Sequence, residues 1–325
     1  MRLGIAFAFL CTTTPAFADQ NDLVLDRLVT RMDDGSGNTR FIPQNLELRS
    51  LSSQLGVVLA PHLLTPADTI GFGGFQLTVD YTTTTIDSTA SYWRVLQGSP
   101  DPAGTGGVAH GDGMMRTVGL FARKGMWFPV PSVEFGAGAI HLVDSNTWSG
   151  QLYTKVALHE GYHQLPIPSL AVRGAVSRMM NQRELDLTVA SLDIIVSKHF
   201  GVGSTWRLDP YGGWNMLMIV PRSEVIDPTP NVDPLVMGNE DDLLNNFVFK
   251  DQDVIFRNRI FLGAKLQYYV FQLTLEAQFA LAGSSVDDRS GTSDPCMPSS
   301  TTTVCDAKDT AASQRTLSMS AGFDF

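Results

Sequence analysis

The chain has 325 residues, 43% of them hydrophobic and 17% charged, with a formal net charge of −10. That acidic balance excludes nucleic acid as a partner, because phosphates demand a basic face. No stretch of about 18 apolar residues occurs, which excludes helical membrane spans and leaves the hydrophobic content to be spread in alternation.

At the N-terminus, Arg2 supplies a positive start, Leu3 to Leu10 an apolar run and Ala16-Phe17-Ala18 an A-x-A cleavage site. Residues 1–18 therefore read as a cleaved export signal, with Asp19 as the first mature residue. The apolar run is far shorter than the roughly 20 residues that span a bilayer. Cys11 follows Ala8-Phe9-Leu10, whose bulk does not suit a lipidation signal.

Residues 19–66 are predicted to form a mostly helical leader that lies in the periplasm or plugs a lumen. Asp22 to Met32 and Leu46 to Leu59 show helical spacing, and in the second Leu48, Leu51, Leu55 and Val58 recur at three or four residues. From Thr69 the period changes to two. Gly71-Phe72-Gly73-Gly74 precedes a strand rather than a helix, so it suits a tight chain path and not a phosphate cradle.

Phe75, Leu77, Val79 and Tyr81 then alternate with Gln76, Thr78, Asp80 and Thr82. Further strands are predicted over Met115 to Lys124, Ser132 to Val143, Trp148 to Leu158, Pro168 to Met179, Leu185 to His199, Thr205 to Val220, Val254 to Leu266 and Phe271 to Leu281. With the alternating C-terminal segment from Leu317, they make about ten. Two carry a difficulty. Leu187 and Val189 are out of phase with Leu192, Ile194 and Val196, which calls for a bulge or a shifted boundary. Pro210 lacks an N–H inside a strand, which is costly except at an edge or bulge. Apart from the boundary residue Pro168, the other prolines fall in the signal, the leader or connections.

Alternation alone does not distinguish a soluble sandwich, with its apolar face inward, from a membrane barrel, with its apolar face toward lipid. The connections do. Those at 125–131, 159–167, 201–204 and 267–270 are short and fall on one side, whereas 88–113, 221–253 and 284–313 are long and fall on the other, with tight turns near Asn146 and Gln182. Short periplasmic turns opposite long external loops are the outer-membrane pattern. Residues 67–325 are thus expected to form an all-β membrane fold, a single antiparallel up-and-down β-barrel. Trp127, Phe128, Tyr162, Tyr268, Tyr269, Phe323 and Phe325 lie near the short turns, and Tyr92, Trp93 and Trp148 near the other end, as aromatic girdles would.

At the C-terminus Leu317, Met319, Ala321, Phe323 and Phe325 alternate with Ser318, Ser320, Gly322 and Asp324. This segment resembles the terminal strand of bacterial outer-membrane β-barrels, whose final aromatic residue is the assembly signal read by the barrel insertion machinery. The resemblance implies the outer membrane of a Gram-negative bacterium, with its lipid, its lipopolysaccharide and the barrel assembly machinery as partners. The leader resembles the hatch of fatty-acid-type outer-membrane channels in position only.

His159-Glu160-Gly161-Tyr162-His163 matches H-E-x-x-H, which on a helix would place two imidazoles toward zinc. Here a strand precedes it, and Gly161, Pro166 and Pro168 disfavour a helix, so a polar turn is expected and no metal. Cys296 and Cys305 suit a disulfide in an oxidising compartment, worth on the order of 2 to 3 kcal/mol, or else are two unrelated surface thiols. Asn239-Glu240-Asp241-Asp242 reads as a solvated acidic loop rather than a cation site, because its spacing is not that of an EF-hand. Arg257, Arg259 and Lys265 alternate with Phe256, Ile260 and Leu262 and should face the lumen, opposite Glu276 and Gln278. They form either a salt-bridged plug or a passage for an anionic or amphipathic solute. A barrel of about ten strands is only slightly wider than the eight-stranded case that side chains nearly fill. The expected function is a narrow or plugged channel for small or hydrophobic solutes, with no cofactor and no enzymatic activity. The alternative is a surface or scaffold barrel acting through its long loops, and a barrel enzyme comes third.

The terminal signal generates a test. Deleting Phe325 removes about a few kcal/mol of packing at most, by comparison with other large-to-small changes. Its deletion should nevertheless deplete folded protein from the outer-membrane fraction strongly, while Phe279→Ala leaves most of it inserted. Equal assembly of the two variants would show that Phe325 is no insertion signal.

Overall fold

The computed structural model describes residues 19–33, 39–62, 64–99, 113–126, 132–161, 167–202, 205–229, 232, 235–237, 240–287 and 308–325. Cys296 and Cys305, Trp127, Phe128, Tyr162, His163 and Asn239 lie outside them, as do residues 1–18, over which the export signal is expected.

The leader begins with a 3-10 turn, Leu25–Leu28, and a hairpin of β1 (Val29–Asp33) and β2 (Thr39–Pro43). The helix expected over Asp22 to Met32 is therefore not formed. β-branched Val29 and Thr30 favour extended backbone, and pairing with Thr39 to Pro43 satisfies their ladder positions. The second expected helix is present as α1 (Asn45–Val58).

The strands follow as β3 (Phe75–Thr85), β4 (Met114–Gly125), β5 (Val133–Leu142), β6 (Trp148–His159), β7 (Ser169–Met180), β8 (Leu185–Ser197), the short β9 (Phe200–Val202), β10 (Trp206–Ser223), β11 (Ile255–Tyr268), β12 (Phe271–Ala280) and β13 (Gln314–Asp324). Every neighbouring pair is antiparallel, β13 pairs with β3, and β10 pairs with both β8 and β11. The sheet thus closes into a ten-stranded barrel, to which β9 adds one short rung beside β10. The resemblance carried by the last strand extends to the architecture of the whole chain.

Side chains alternate around this wall. Val79, Leu120, Leu152 and Leu262 face outward and are 54 to 70% exposed, whereas Asp80, Lys155, Arg173 and Asn215 face inward and are fully buried. An apolar outside and a polar inside is the arrangement of a membrane-spanning barrel and the inverse of a soluble one. The connections 126–132, 160–168, 198–205 and 269–270 lie at one rim, and 86–113, 143–147, 181–184, 224–254 and 281–313 at the other. These are called the short-turn and long-loop ends. At the short-turn end Trp206, Tyr268, Tyr269, Phe271, Phe323 and Phe325 form an exposed aromatic cluster.

Three expectations are corrected. β8 needs no bulge: its register with β7 and β10 is unbroken, and Leu185, Leu187 and Val189 point into the barrel while Leu192, Ile194 and Val196 point out. The lumen is apolar at the long-loop end, so inward residues there are apolar too. Tyr92 and Trp93 are not girdle residues; they are 5% and 0% exposed, in a 3-10 turn (Ser91–Val95) packed on α1. Pro221 lies within β10 rather than in a connection, paired with Leu187 beyond the point where the β11 ladder ends at Ile219. Pro210 is tolerated because it faces a gap. The β8 ladder stops at Ser197, β9 begins at Phe200, and Lys198 N–H donates to the Pro210 carbonyl at 3.1 Å across that gap.

From Leu48 to Val58, α1 is buried on every side. Leu48, Leu51, Leu55 and Val58 join Met115, Ile140, Leu142, Met179, Leu185, Leu187, Val189, Leu217, Ile219 and Ile255 in one apolar core inside the long-loop half of the barrel. Its polar face bonds to the loops: Arg49 donates to the Asp253 carbonyl at 3.0 Å, Ser53 to Asp309 at 2.5 Å, and Gln54 accepts from Trp93 Nε1 at 2.5 Å. Gly56 sets the closeness of helix and wall, since a Cβ there would lie 2.6 Å from Ile219 Cδ1. Gly56→Leu should thus unseat α1 at a cost of about 1 to 3 kcal/mol. Heat-modifiable migration should persist while the leader becomes sensitive to proteinase K; unchanged resistance would mean that the contact does not hold the helix.

Candidate functional site

Below α1 the chain descends through the lumen outside any helix or strand. The contacts mark its path from the long-loop half to the opposite rim. Ser177 donates to the Leu59 carbonyl at 2.8 Å, Gln151 to that of Ala60 at 3.2 Å, and Arg259 to that of Pro61 at 3.5 Å. His62 Nδ1 stands 3.5 Å from Asp80, and the Leu64 N–H donates to Glu276 at 3.1 Å. Lower still, the Ala67 N–H donates to Ser197, that of Thr69 to Glu160 and that of Ile70 to Glu134, at 3.0 to 3.1 Å. These partners come from β3, β5, β6, β7, β8, β11 and β12, so the segment runs along the barrel axis.

Lys155 is its principal anchor. The buried ammonium donates to Thr65 Oγ1 at 2.9 Å, to the Pro66 carbonyl at 3.0 Å and to the Asp68 carbonyl at 2.9 Å, and it pairs with Glu134 at 3.2 Å. Three hydrogen bonds exhaust the donors of an ammonium. Glu134 in turn accepts from Tyr153 at 2.5 Å and from Ile70. The left-handed backbone at Leu64, φ 39°, is held between these contacts.

Around the segment the wall carries a hydrogen-bonded belt. Arg173 pairs with Asp193 at 2.5 Å, and Asp193 accepts from Asn215. Arg259 donates to Asn215 at 2.7 Å and to Gln278 at 2.9 Å, Gln278 donates to Glu276 at 2.6 Å, and Tyr211 donates to Glu276 at 2.6 Å. A second arc joins Arg123 to Gln76 at 2.6 Å and Gln76 to Gln272 at 2.5 Å. Toward the short-turn rim Asp209 meets His199 at 2.7 Å and Arg207 at 2.8 Å, and Lys265 meets Asp324 at 3.0 Å.

The sequence-derived lumen residues are all buried inside the barrel. Arg259 and Gln278 are direct partners. Arg257 instead reaches Ser53 of α1 at 2.7 Å and the Ala312 carbonyl at 3.1 Å, and Glu276 serves the leader, Tyr211 and Gln278. Leu317, Met319 and Phe323 stand on the outer face of β13, with Phe325 exposed beyond it. His159 ends a strand, and Glu160 accepts from both the N–H and the hydroxyl of Thr69, so this part of the motif clasps the leader. Among the described residues no group of three His, Cys, Asp or Glu side chains is placed to hold a metal ion.

Lys155, Glu134, Arg173, Asp193 and Tyr211 were not singled out from sequence. Their signal was present: each is polar at the lumen phase of an alternating strand. At the long-loop rim Glu184 accepts the Leu25 N–H at 2.6 Å. Burial pushes its carboxyl above the ordinary value, and Asp26 adds to the shift, against the opposing effect of that hydrogen bond.

No family model and no curated protein matches the chain. Among solved structures, the translocator domain of the autotransporter NalP from Neisseria meningitidis is 10% identical, with 86% of this chain and 95% of that one covered, at a TM-score of 0.35. The attachment invasion locus protein Ail of Yersinia pestis is 10% identical over 78% of this chain and 99% of its own, at 0.27. The outer-membrane protease OmpT of Escherichia coli is 8% identical over 78% and 95%, at 0.30. Likenesses at these values carry no argument, and the fold stands on the chain's own strand pairing.

Replacing Lys155 by Met removes one partner of a buried ion pair, which costs about 3 to 5 kcal/mol. Adding Glu134→Gln should recover part of that loss. Denaturant titration of the folded barrel checks both, and equal stability of Lys155→Met and the unaltered protein would show that the anchor is not formed.

Proposed function

We propose that the protein is an outer-membrane barrel whose lumen is a passage held shut by its own leader, serving small or hydrophobic solutes. The observation that carries this reading is the bonding of residues 59–70 to inward side chains around the wall, with Lys155 on three leader oxygens. Where a segment is held by hydrogen bonds and ions, water can release it, because water competes for those groups. The sorted connections and the terminal aromatic residue support the outer-membrane location and the orientation with long loops outside.

A second reading is favoured by the cap. Leu23, Leu25, Leu28, Trp93, Val95 and Leu96 continue the core of α1 out through the long-loop end. A cap built this firmly suits a barrel that acts at the cell surface and conducts nothing.

Planar-bilayer recordings decide between them. The unaltered protein should conduct rarely, and the Lys155→Met, Glu134→Gln variant should show at least about tenfold more open time, in line with a loss of more than 1.4 kcal/mol of closure. If the variant's leader is released, as read by proteolysis, and conductance stays at baseline, the surface reading replaces transport.

A further inference from the structure

We infer that the leader enters the barrel from the outside of the cell, so that residues 19–44 are displayed on the external surface and residues 45–70 cross the membrane inside the wall. The inference rests on the orientation given under Proposed function. It goes beyond that reading, which requires only that the lumen be blocked and is equally compatible with a plug inserted from the periplasm.

The contacts of the first described residues carry it. Asn21 N–H donates to the Asp144 carbonyl at 2.8 Å and its side chain to that of Val143 at 2.8 Å, both in the β5–β6 turn at the long-loop end. Asp22 accepts from the N–H and side chain of Asn146 at 2.7 and 2.9 Å in the same turn. Leu25 binds Glu184 in the β7–β8 turn, and Arg27 donates to the carbonyls of Arg94, Leu96 and Ser99 at 2.7 to 3.2 Å in the β3–β4 connection. Every one of these partners lies at the long-loop end.

The other end of the leader is equally fixed. Thr69 is bound to Glu160 in the β6–β7 turn and Ile70 to Glu134 at the start of β5, both at the short-turn rim. There Gly71 and Gly73, at φ 82° and 72°, reverse the chain into β3. Phe75 exchanges backbone hydrogen bonds of 2.7 and 2.8 Å with Phe325, so the leader's exit and the C-terminus share that rim. The reach suffices: α1 contributes roughly 20 Å at ~1.5 Å per residue, and the part below it up to about 3.3 Å per residue, against a hydrocarbon thickness of ~30 Å. With the leader the chain therefore crosses the membrane an odd number of times, and its two ends face opposite sides.

The consequence is an outward surface made of the leader hairpin and its neighbouring loops. Labelling with a membrane-impermeant maleimide tests this in whole cells, on single-cysteine variants in a Cys11→Ser, Cys296→Ser, Cys305→Ser background that keep heat-modifiable migration. Arg31→Cys reports the leader's outer part, Phe72→Cys its far end and Arg183→Cys the β7–β8 turn; all three positions are exposed. Arg31→Cys and Arg183→Cys should label at least tenfold faster in intact cells than Phe72→Cys, which should label only after permeabilisation. Labelling of Arg183→Cys with protection of Arg31→Cys would overturn the inference and leave the barrel's orientation standing. Labelling of Phe72→Cys with protection of Arg183→Cys would overturn that orientation itself, and the proposed function with it.

Discussion

Lipid offers no hydrogen bonds, so a sheet that crosses a membrane can leave no strand edge unpaired. In this chain the condition is met by the ladder between the first and last barrel strands, β3 against β13, which runs from Gln76–Asp324 to Thr84–Thr316 and closes the ring. Much else follows from closure. Once the wall is continuous, its alternate side chains are confined to an interior that is too wide for them to fill alone, and whatever fills it must satisfy them.

The interior is filled in two ways along its length. At the long-loop end the wall presents leucine, isoleucine, valine and methionine, and α1 meets them with an apolar stripe, so burial of hydrocarbon seats the helix. Toward the short-turn end the wall presents charges, and the leader takes a path outside any helix or strand. Such a segment has no internal partners for its own amides, and each unsatisfied buried group would cost about 1 to 3 kcal/mol. Lys155, Arg259, Glu276, Glu134, Gln151 and Ser177 supply those partners. Buried ion pairs are poor sources of net stability, so the belt is better understood as the scaffold that places donors and acceptors along the axis.

The strands were legible because a period of two survives wherever one face meets lipid. Phe75 to Tyr81 and Phe271 to Leu281 show it without interruption, and the loop lengths sorted them correctly. What misled was the assumption that inward residues are polar. Leu187 and Val189 seemed out of phase only because α1, distant in sequence, turns that part of the lumen apolar. Tyr92 and Trp93 looked like girdle residues for the same reason: nothing local announces that they cover a helix. Asp22 to Met32 has helical spacing, yet its outcome was set by pairing with Thr39 to Pro43. Of the site, Arg259 and Gln278 could be read from alternation. Lys155 could not be distinguished from any other lumen lysine until the leader's carbonyls were in place around it.

The leader and the wall are one covalent chain, joined through Gly71 to Gly74 at the rim where β3 begins. A blocking segment tied this closely cannot diffuse away. On a short flexible connection, its effective concentration at its own seat is on the order of millimolar, independent of how much protein the membrane holds. Release is thus a first-order equilibrium within a single molecule, and dilution does not drive it. On the proposed reading, whatever opens this lumen must hold the displaced leader elsewhere, or occupy the vacated contacts, for as long as passage lasts.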